Sequence, residues 1–271
     1  MIIDAQIHIW DAIPQHLRHE HPDEMVEFSY EELLRRMDAA GVGAAMLVPR
    51  SFEGDRNDYA IEAARKHPDR FAVMGRVAMD EATGKPQLRR LKDEGMLGIR
   101  LTFHRNADRP FLTDGSTDWL WPEAEALDIP IMVHAPERLT RLGELAAAHP
   151  KLRLILDHMG FARPDIDDEM APAVERLLPL AKHPNFFVKV SAAPCYTTQA
   201  FPYRNVQAQI RRIVDAFGAS RCFWGSDLTR LPANVSFEQC VRMFTEGDFL
   251  TSAELPEVMG NALSRCLRWP G

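Results

Sequence analysis

The sequence predicts an α/β chain closed into a (β/α)8 barrel, and three observations carry that expectation. Short apolar, β-rich runs alternate with helix-length amphipathic segments eight times in succession. The length, 271 residues, suits one such barrel, which occupies about 250 residues as a single domain. Polar, titratable residues also recur at the C-terminal ends of nearly every apolar run, the face on which such barrels keep their chemistry. One domain over residues 1–271 is therefore expected.

The elements follow in order. The apolar runs fall at 2–9, 44–48, 71–77, 97–101, 129–133, 152–156, 186–190 and 222–224. The amphipathic segments between and after them fall at 30–40, 57–66, 86–93, 118–126, 138–148, 170–181, 205–217 and 237–245. Strands alternating with helices of this length imply right-handed crossovers and a parallel sheet. A last helical stretch over 254–267 closes the chain. His67-Pro68, His149-Pro150 and His183-Pro184 each end an amphipathic segment. Proline cannot continue a helix, and an imidazole near a helix C-terminus suits its dipole. These three histidines are read as structural, at the face opposite the chemistry. His16, His19 and His21 lie in a polar loop after the first strand and are read as solvated.

Composition narrows the class. A hydrophobic content of 46% with 26% charged residues is that of a globular chain with a full core. No apolar run approaches the roughly 20 residues of a membrane span, and no basic segment precedes an apolar one at the N-terminus as in a secretory signal. Cys195, Cys222, Cys240 and Cys266 show no CxxC spacing, so neither a zinc knuckle nor a disulfide framework is suggested. A cytoplasmic location is expected. A net charge of −7 argues against nucleic acid.

Chemistry collects at the strand ends. Gln6 and His8 stand at i and i+2 of the first strand and so share a face. The second strand ends in Arg50, the third carries Arg76, and the fourth gives Arg100 with His104 and Arg105 beyond it. The fifth ends in His134, the sixth in Asp157-His158, the seventh in Lys189-Val190-Ser191 and the eighth in Ser226-Asp227. A barrel wall would place Val, Ile or Leu there, so a satisfied core histidine does not explain the set. His8, His134 and Asp227 can bind one divalent cation and leave a position for water. Without a metal, Asp227 can be the base that activates water while the imidazoles, His158 included, stabilise the carbonyl oxygen. Asp227 could also merely cap the following helix. Arg50, Arg76 and Arg100 imply an anionic small molecule bearing carboxylates, which guanidinium forks bind bidentately.

Asp4-Ala5-Gln6-Ile7-His8-Ile9-Trp10, Gly98-Ile99-Arg100-Leu101, Val133-His134, Leu156-Asp157-His158-Met159-Gly160, Trp224-Gly225-Ser226-Asp227 and Met259-Gly260-Asn261-Ala262-Leu263 occur in this order along the chain. Together they resemble the amidohydrolase-related family, in the branch of pyrone-dicarboxylate, muconolactone-type and sugar lactonases. The resemblance implies a distorted TIM barrel that opens a lactone by attack of water. It also implies that His8, His134, His158 and Asp227 line the reacting centre, that Asp227 is the base, and that strand-end arginines hold substrate carboxylates. Some members of that family use one divalent metal and others none; a decarboxylase branch uses a His-x-His set around a metal.

Gln6 departs from the His-x-His pattern. A neutral amide oxygen is a weak ligand for zinc, which favours a lactonase that works without a metal. Gln6 would then hydrogen-bond substrate or orient His8. The expectation is a hydrolase of a carboxylate-bearing lactone or similar cyclic ester that needs no cofactor. The alternatives are a decarboxylase holding one divalent metal, zinc or manganese, on His8, His134 and Asp227, and a silent barrel that only binds an anion. Arg105 and Arg230 are further anion-binding candidates, Tyr196 and Tyr203 lie in a loop (192–204) that would wall the site, and a homodimer is the commonest assembly for such a chain.

Overall fold

The computed structural model describes residues 1–12, 27–51, 54–103 and 109–269. His16, His19, His21, His104 and Arg105 lie outside the described residues. Eight parallel strands pair in sequence order: β1 (Ile3–Ile7), β2 (Ala44–Leu47), β3 (Phe71–Gly75), β4 (Gly98–Thr102), β5 (Ile131–His134), β6 (Leu154–Leu156), β7 (Phe186–Ser191) and β8 (Cys222–Gly225). The helices α1 (Tyr30–Ala40), α2 (Asp58–Lys66), α3 (Glu81–Arg90), α4 (Leu120–Ala126), α5 (Leu139–Ala148), α6 (Met170–Leu177), α7 (Arg204–Phe217) and α8 (Phe237–Thr245) follow their strands in turn. This is the (β/α)8 barrel expected from the sequence. No helix among the described residues is long and apolar enough to cross a membrane.

Local chemistry explains most helix ends. Ser29 caps α1 by accepting from the Glu32 N–H, and Gly41 ends it in the left-handed region. Ser236 and Gln239 form a reciprocal capping box on α8. His67 and His149 stand as C-caps of α2 and α5, as their His-Pro sequences suggest.

Two helices depart from expectation. The helix expected over 86–93 begins at Glu81, because the Asp80 side chain accepts from the Thr83 N–H and carries the helix through Pro86. The segment expected as one helix over 170–181 breaks at Leu177 and continues as a 3-10 turn, Leu178–Lys182, with Pro179 near its start.

The last strand meets the first through a small seam. The Asp227 N–H donates to the Gln6 carbonyl (2.9 Å), and the Ser226 N–H donates to Asp4 Oδ1 (2.9 Å). A Cβ at Gly225 would lie 3.1 Å from the Gln6 nitrogen and 3.1 Å from Ser191 Cβ, so glycine permits that approach. The chain finishes in α9 (Glu254–Pro256), one π turn (Glu257–Asn261) and α10 (Ala262–Leu267). Gly260 in that turn lets it pack on the Met1 carbonyl, since a Cβ there would come within 2.6 Å of it. Ala262, Leu263, Cys266 and Leu267 then join Ile3, Met46, Met74, Met132, Ile155 and Phe223 in one buried cluster that plugs the barrel at the end where the strands begin. The opposite end is left to polar residues.

Candidate active site

The first strand is bent to its task. Between Asp4 and Ile7, three steps along β1, the partner on β2 advances only two, from Ala45 to Leu47. One extra residue of this kind is a bulge, which re-aims the side chains beside it. The Gln6 N–H turns to Asp4 Oδ1 (2.9 Å), the same oxygen that receives Ser226. Asp4 thus holds both the bulge and the seam. Burial pushes its carboxyl up to about 7, and the Asp227 charge adds to that, against the hydrogen bonds from Ser226 and Gln6.

Beyond the bulge, Gln6 and His8 share one side, with Gln6 Nε2 3.2 Å from His8 Nε2. His8 Nδ1 is 2.6 Å from the Val48 carbonyl. A carbonyl only accepts, so Nδ1 carries a proton.

Asp227 is the hub. It lies two residues past the end of β8, in the left-handed region (φ 52°), and its Oδ1 lies 3.4 Å from His8 Nε2. Its Oδ2 lies 3.5 Å from His158 Nε2 and 3.9 Å from the Arg230 guanidinium. Burial alone would raise the Asp227 carboxyl, but its surroundings, His158 first and Arg230 with it, outweigh that and hold the group far below the usual carboxylate range. Asp227 is therefore an ionised acceptor.

His158 also sits in the left-handed region (φ 53°), just past β6. Burial, then Arg230 and Arg100, push its pKa down to about 3 against the pull of Asp227 and Asp157. It is a neutral imidazole. A carboxylate cannot donate, so Nε2–H faces Asp227 and the Ser191 hydroxyl donates to Nδ1 (2.8 Å). The His134 ring meets the His158 ring edge-on, with centroids 5.2 Å apart.

A second, buried layer supports the first. Lys189 Nζ lies 2.6 Å from Gln6 Oε1 and 2.8 Å from Asp157 Oδ1. Arg100 Nε donates to Asp157 Oδ2 (2.9 Å), and its Nη1 donates to the Thr102 hydroxyl. Burial would raise the Asp157 carboxyl, but Lys189 and Arg100 hold it well below the usual range.

The arginines part company. Arg76 and Arg100 line one cavity of about 310 Å³ with Ser51, Thr102 and Phe111. Arg76 Nε donates to the Gly54 carbonyl (2.7 Å). Arg50 instead lies over the Trp10 ring, 4.8 Å from its centroid. Arg230 donates to the Tyr196 hydroxyl (3.2 Å) beneath the 192–204 segment, so both residues belong to the Asp227 environment. Tyr203 lines a separate groove of about 500 Å³ with Thr198, Phe201 and Asn234.

Sequence reasoning singled out Gln6, His8, His134, His158 and Asp227, and the structure places them around one centre. It gave no role to Asp4, whose signal was a lone carboxylate inside an apolar strand, and placed Lys189 and Asp157 at the mouth without seeing that they pair beneath it.

The donor set does not fit a divalent cation. The Gln6 oxygen is turned to an ammonium group, and among the described residues no three His, Cys, Asp or Glu side chains are arranged to hold a metal ion.

Known proteins place this architecture. The 4-sulfomuconolactone hydrolase of Hydrogenophaga intermedia is 25% identical over 199 residues, 73% of this chain and 64% of that one, so the match spans less than two thirds of that relative. The L-fucono-1,5-lactonase of Burkholderia ambifaria is 27% identical over 238 residues, 83% of this chain and 79% of its own. The solved structure of an amidohydrolase from Burkholderia multivorans with bound zinc shares the fold at a TM-score of 0.80 and 21% identity, with both chains covered in full (100%). A family model described as Amidohydrolase matches residues 3–262, and the chain belongs to the amidohydrolase family.

Proposed function

We propose that the protein is a hydrolase that opens a carboxylate-bearing lactone by attack of water, with Asp227 as the base. The observation that carries the reading is the setting of Asp227: ionised, buried, and fixed at one oxygen by His158 and Arg230. The other oxygen, on the His8 side, is then the one that takes a proton from water. As water adds to the lactone carbonyl, Asp227 accepts its proton. As the ring C–O bond breaks, the proton passes to the leaving oxygen and the product is a hydroxy acid. His158 turns its one N–H to Asp227, so His134, whose ring lies beside it, is the imidazole assigned to the charge that develops on the carbonyl oxygen.

Arg76 and Arg100 bring two guanidinium groups to the cavity of about 310 Å³ against one lining carboxylate, Asp55, and that excess suits a substrate carboxylate. Both curated relatives are named for lactones, one of them bearing a sulfonate, and that supports an anionic cyclic ester as the substrate class.

The test is acid release in a pH-stat from lactones with and without a ring carboxylate, by the wild type and Asp227→Asn. Turnover confined to carboxylated lactones and lost in the variant is expected. Unchanged turnover in Asp227→Asn, carbon dioxide in place of acid, or saturable binding without product would each overturn the reading.

A further inference from the structure

A buried ammonium group at the floor of a hydrolase site needs a reason. Lys189 is wholly buried on β7, and its nearest polar neighbours are the Gln6 oxygen (2.6 Å) and the Asp157 carboxylate (2.8 Å). An ammonium group has three donors and no acceptor. The Gln6 end facing it is therefore the carbonyl, because the amide nitrogen would set donor against donor. The contact has the length of a charge-assisted bond. With its oxygen committed, the Gln6 side chain has only its NH2 left for His8, 3.2 Å away. That NH2 donates from nearer by than the Asp227 oxygen (3.4 Å), so His8 Nε2 offers its lone pair to Gln6 and not a proton to Asp227. The protonated Nδ1 facing the Val48 carbonyl completes the same tautomer from the other side of the ring.

We propose that Lys189, acting through Gln6, replaces a divalent cation at this site: it fixes His8 as the Nδ1–H tautomer and occupies with an amide the lone pair a metal would need. Three residues from two strands thus form one chain of donors running Lys189, Gln6, His8. Its positive end is anchored by Asp157, which Arg100 also binds. Lys189 and Gln6 are positioning residues in this arrangement, since they act through His8. Burial lowers the pKa of Lys189, but Asp157 opposes that and favours the ammonium form, whose charge would repel a cation held on the same Gln6–His8 pair.

The assignment concerns the site and not the reaction, so its test reads no turnover and stands or falls apart from the lactone assay. Nitrogen-15 NMR of histidine-labelled wild type, with the His8 signals identified by their loss in His8→Gln, reads the tautomer directly. The Nδ1–H form is expected; the Nε2–H form or an imidazolium at neutral pH would overturn the proposal.

Zinc titration by calorimetry on unchelated protein is the second readout. Wild type should bind no stoichiometric zinc. Gln6→His combined with Lys189→Met should bind it between about 10-fold and about 100-fold tighter than Gln6→His alone. One equivalent held tightly by the wild type, or equal affinity in the single and double variants, would sink the role of Lys189. Should the double variant fail to fold, the wild-type tautomer and wild-type titration still decide.

Discussion

Replacing Asp4 with asparagine should make the barrel less sensitive to pH without unpicking it. The amide oxygen of the introduced side chain can still accept from the Gln6 and Ser226 N–H groups, so the bulge and the β8–β1 seam keep their hydrogen bonds. What changes is the proton. In the folded protein burial lifts the Asp4 pKa from 3.8 to about 7. The folded state therefore keeps a proton that the unfolded chain gives up. Below pH 3.8 both states are protonated and the stability linked to this group is fully present. As pH rises to about 7 it is progressively lost, and above that the loss levels off. At about 1.4 kcal/mol per pH unit, the gap amounts to about 4 kcal/mol as an upper figure. Urea unfolding of wild type and Asp4→Asn at matched pH, from about pH 4 to about pH 8, isolates this term by difference. Wild type should lose ground to the variant by up to about 4 kcal/mol across that window. Parallel stability curves would refute the reasoning, and with it the claim that Asp4 is folded in with its proton.

The other expectations are more local. Asp157→Asn leaves Lys189 and Arg100 short of their shared carboxylate, and unpairing buried charges costs about 3–5 kcal/mol; thermal unfolding should show the largest loss of any single variant here. Arg76→Gln should raise KM for a carboxylated lactone by about 10-fold to about 100-fold, the worth of one charged hydrogen bond, and leave a neutral lactone unaffected; equal effects on both would remove Arg76 from the anion site. Arg230→Gln removes a cation that holds the Asp227 carboxyl low, so the acid limb of the kcat/KM profile should move to higher pH; an unmoved limb would assign it to another group. Asp227→Asn keeps a side chain that tolerates the left-handed backbone, so it should fold as wild type while turnover drops by about 100-fold to about 10,000-fold.

The alternation of strands and helices was legible because each run repeats with its own period and each crossover is local in sequence. Helix α3 was not, because proline reads as a start signal and the Asp80 cap, a stronger one, starts the helix earlier, at Glu81. The Gln6–His8 pair was legible from a spacing of two. The bulge before it was not, since it depends on Asp4 reaching Ser226, 222 residues along the chain. The same holds for Lys189, which meets Gln6 across a separation of 183 residues once the barrel brings β7 round to β1. Both contacts are products of closure, and no local pattern encodes them.

Asp227 stands on a left-handed residue just past β8, and His158 opens a left-handed run, His158, Met159 and Gly160, just past β6. Such a backbone costs about 1–3 kcal/mol and persists only where its surroundings dictate it. The proposed reacting groups are thereby mounted on the frame, and the segments that follow them, 161–169 after His158 and 228–236 after Asp227, begin once they have been placed. An exchange of 161–169 should therefore leave His158 and Asp227 in place, whereas an exchange of 228–236 must keep Arg230. On the proposed reading the groups that react sit apart from most of the chain that shapes the substrate, and a search for new substrates can leave the strand tips and Arg230 untouched.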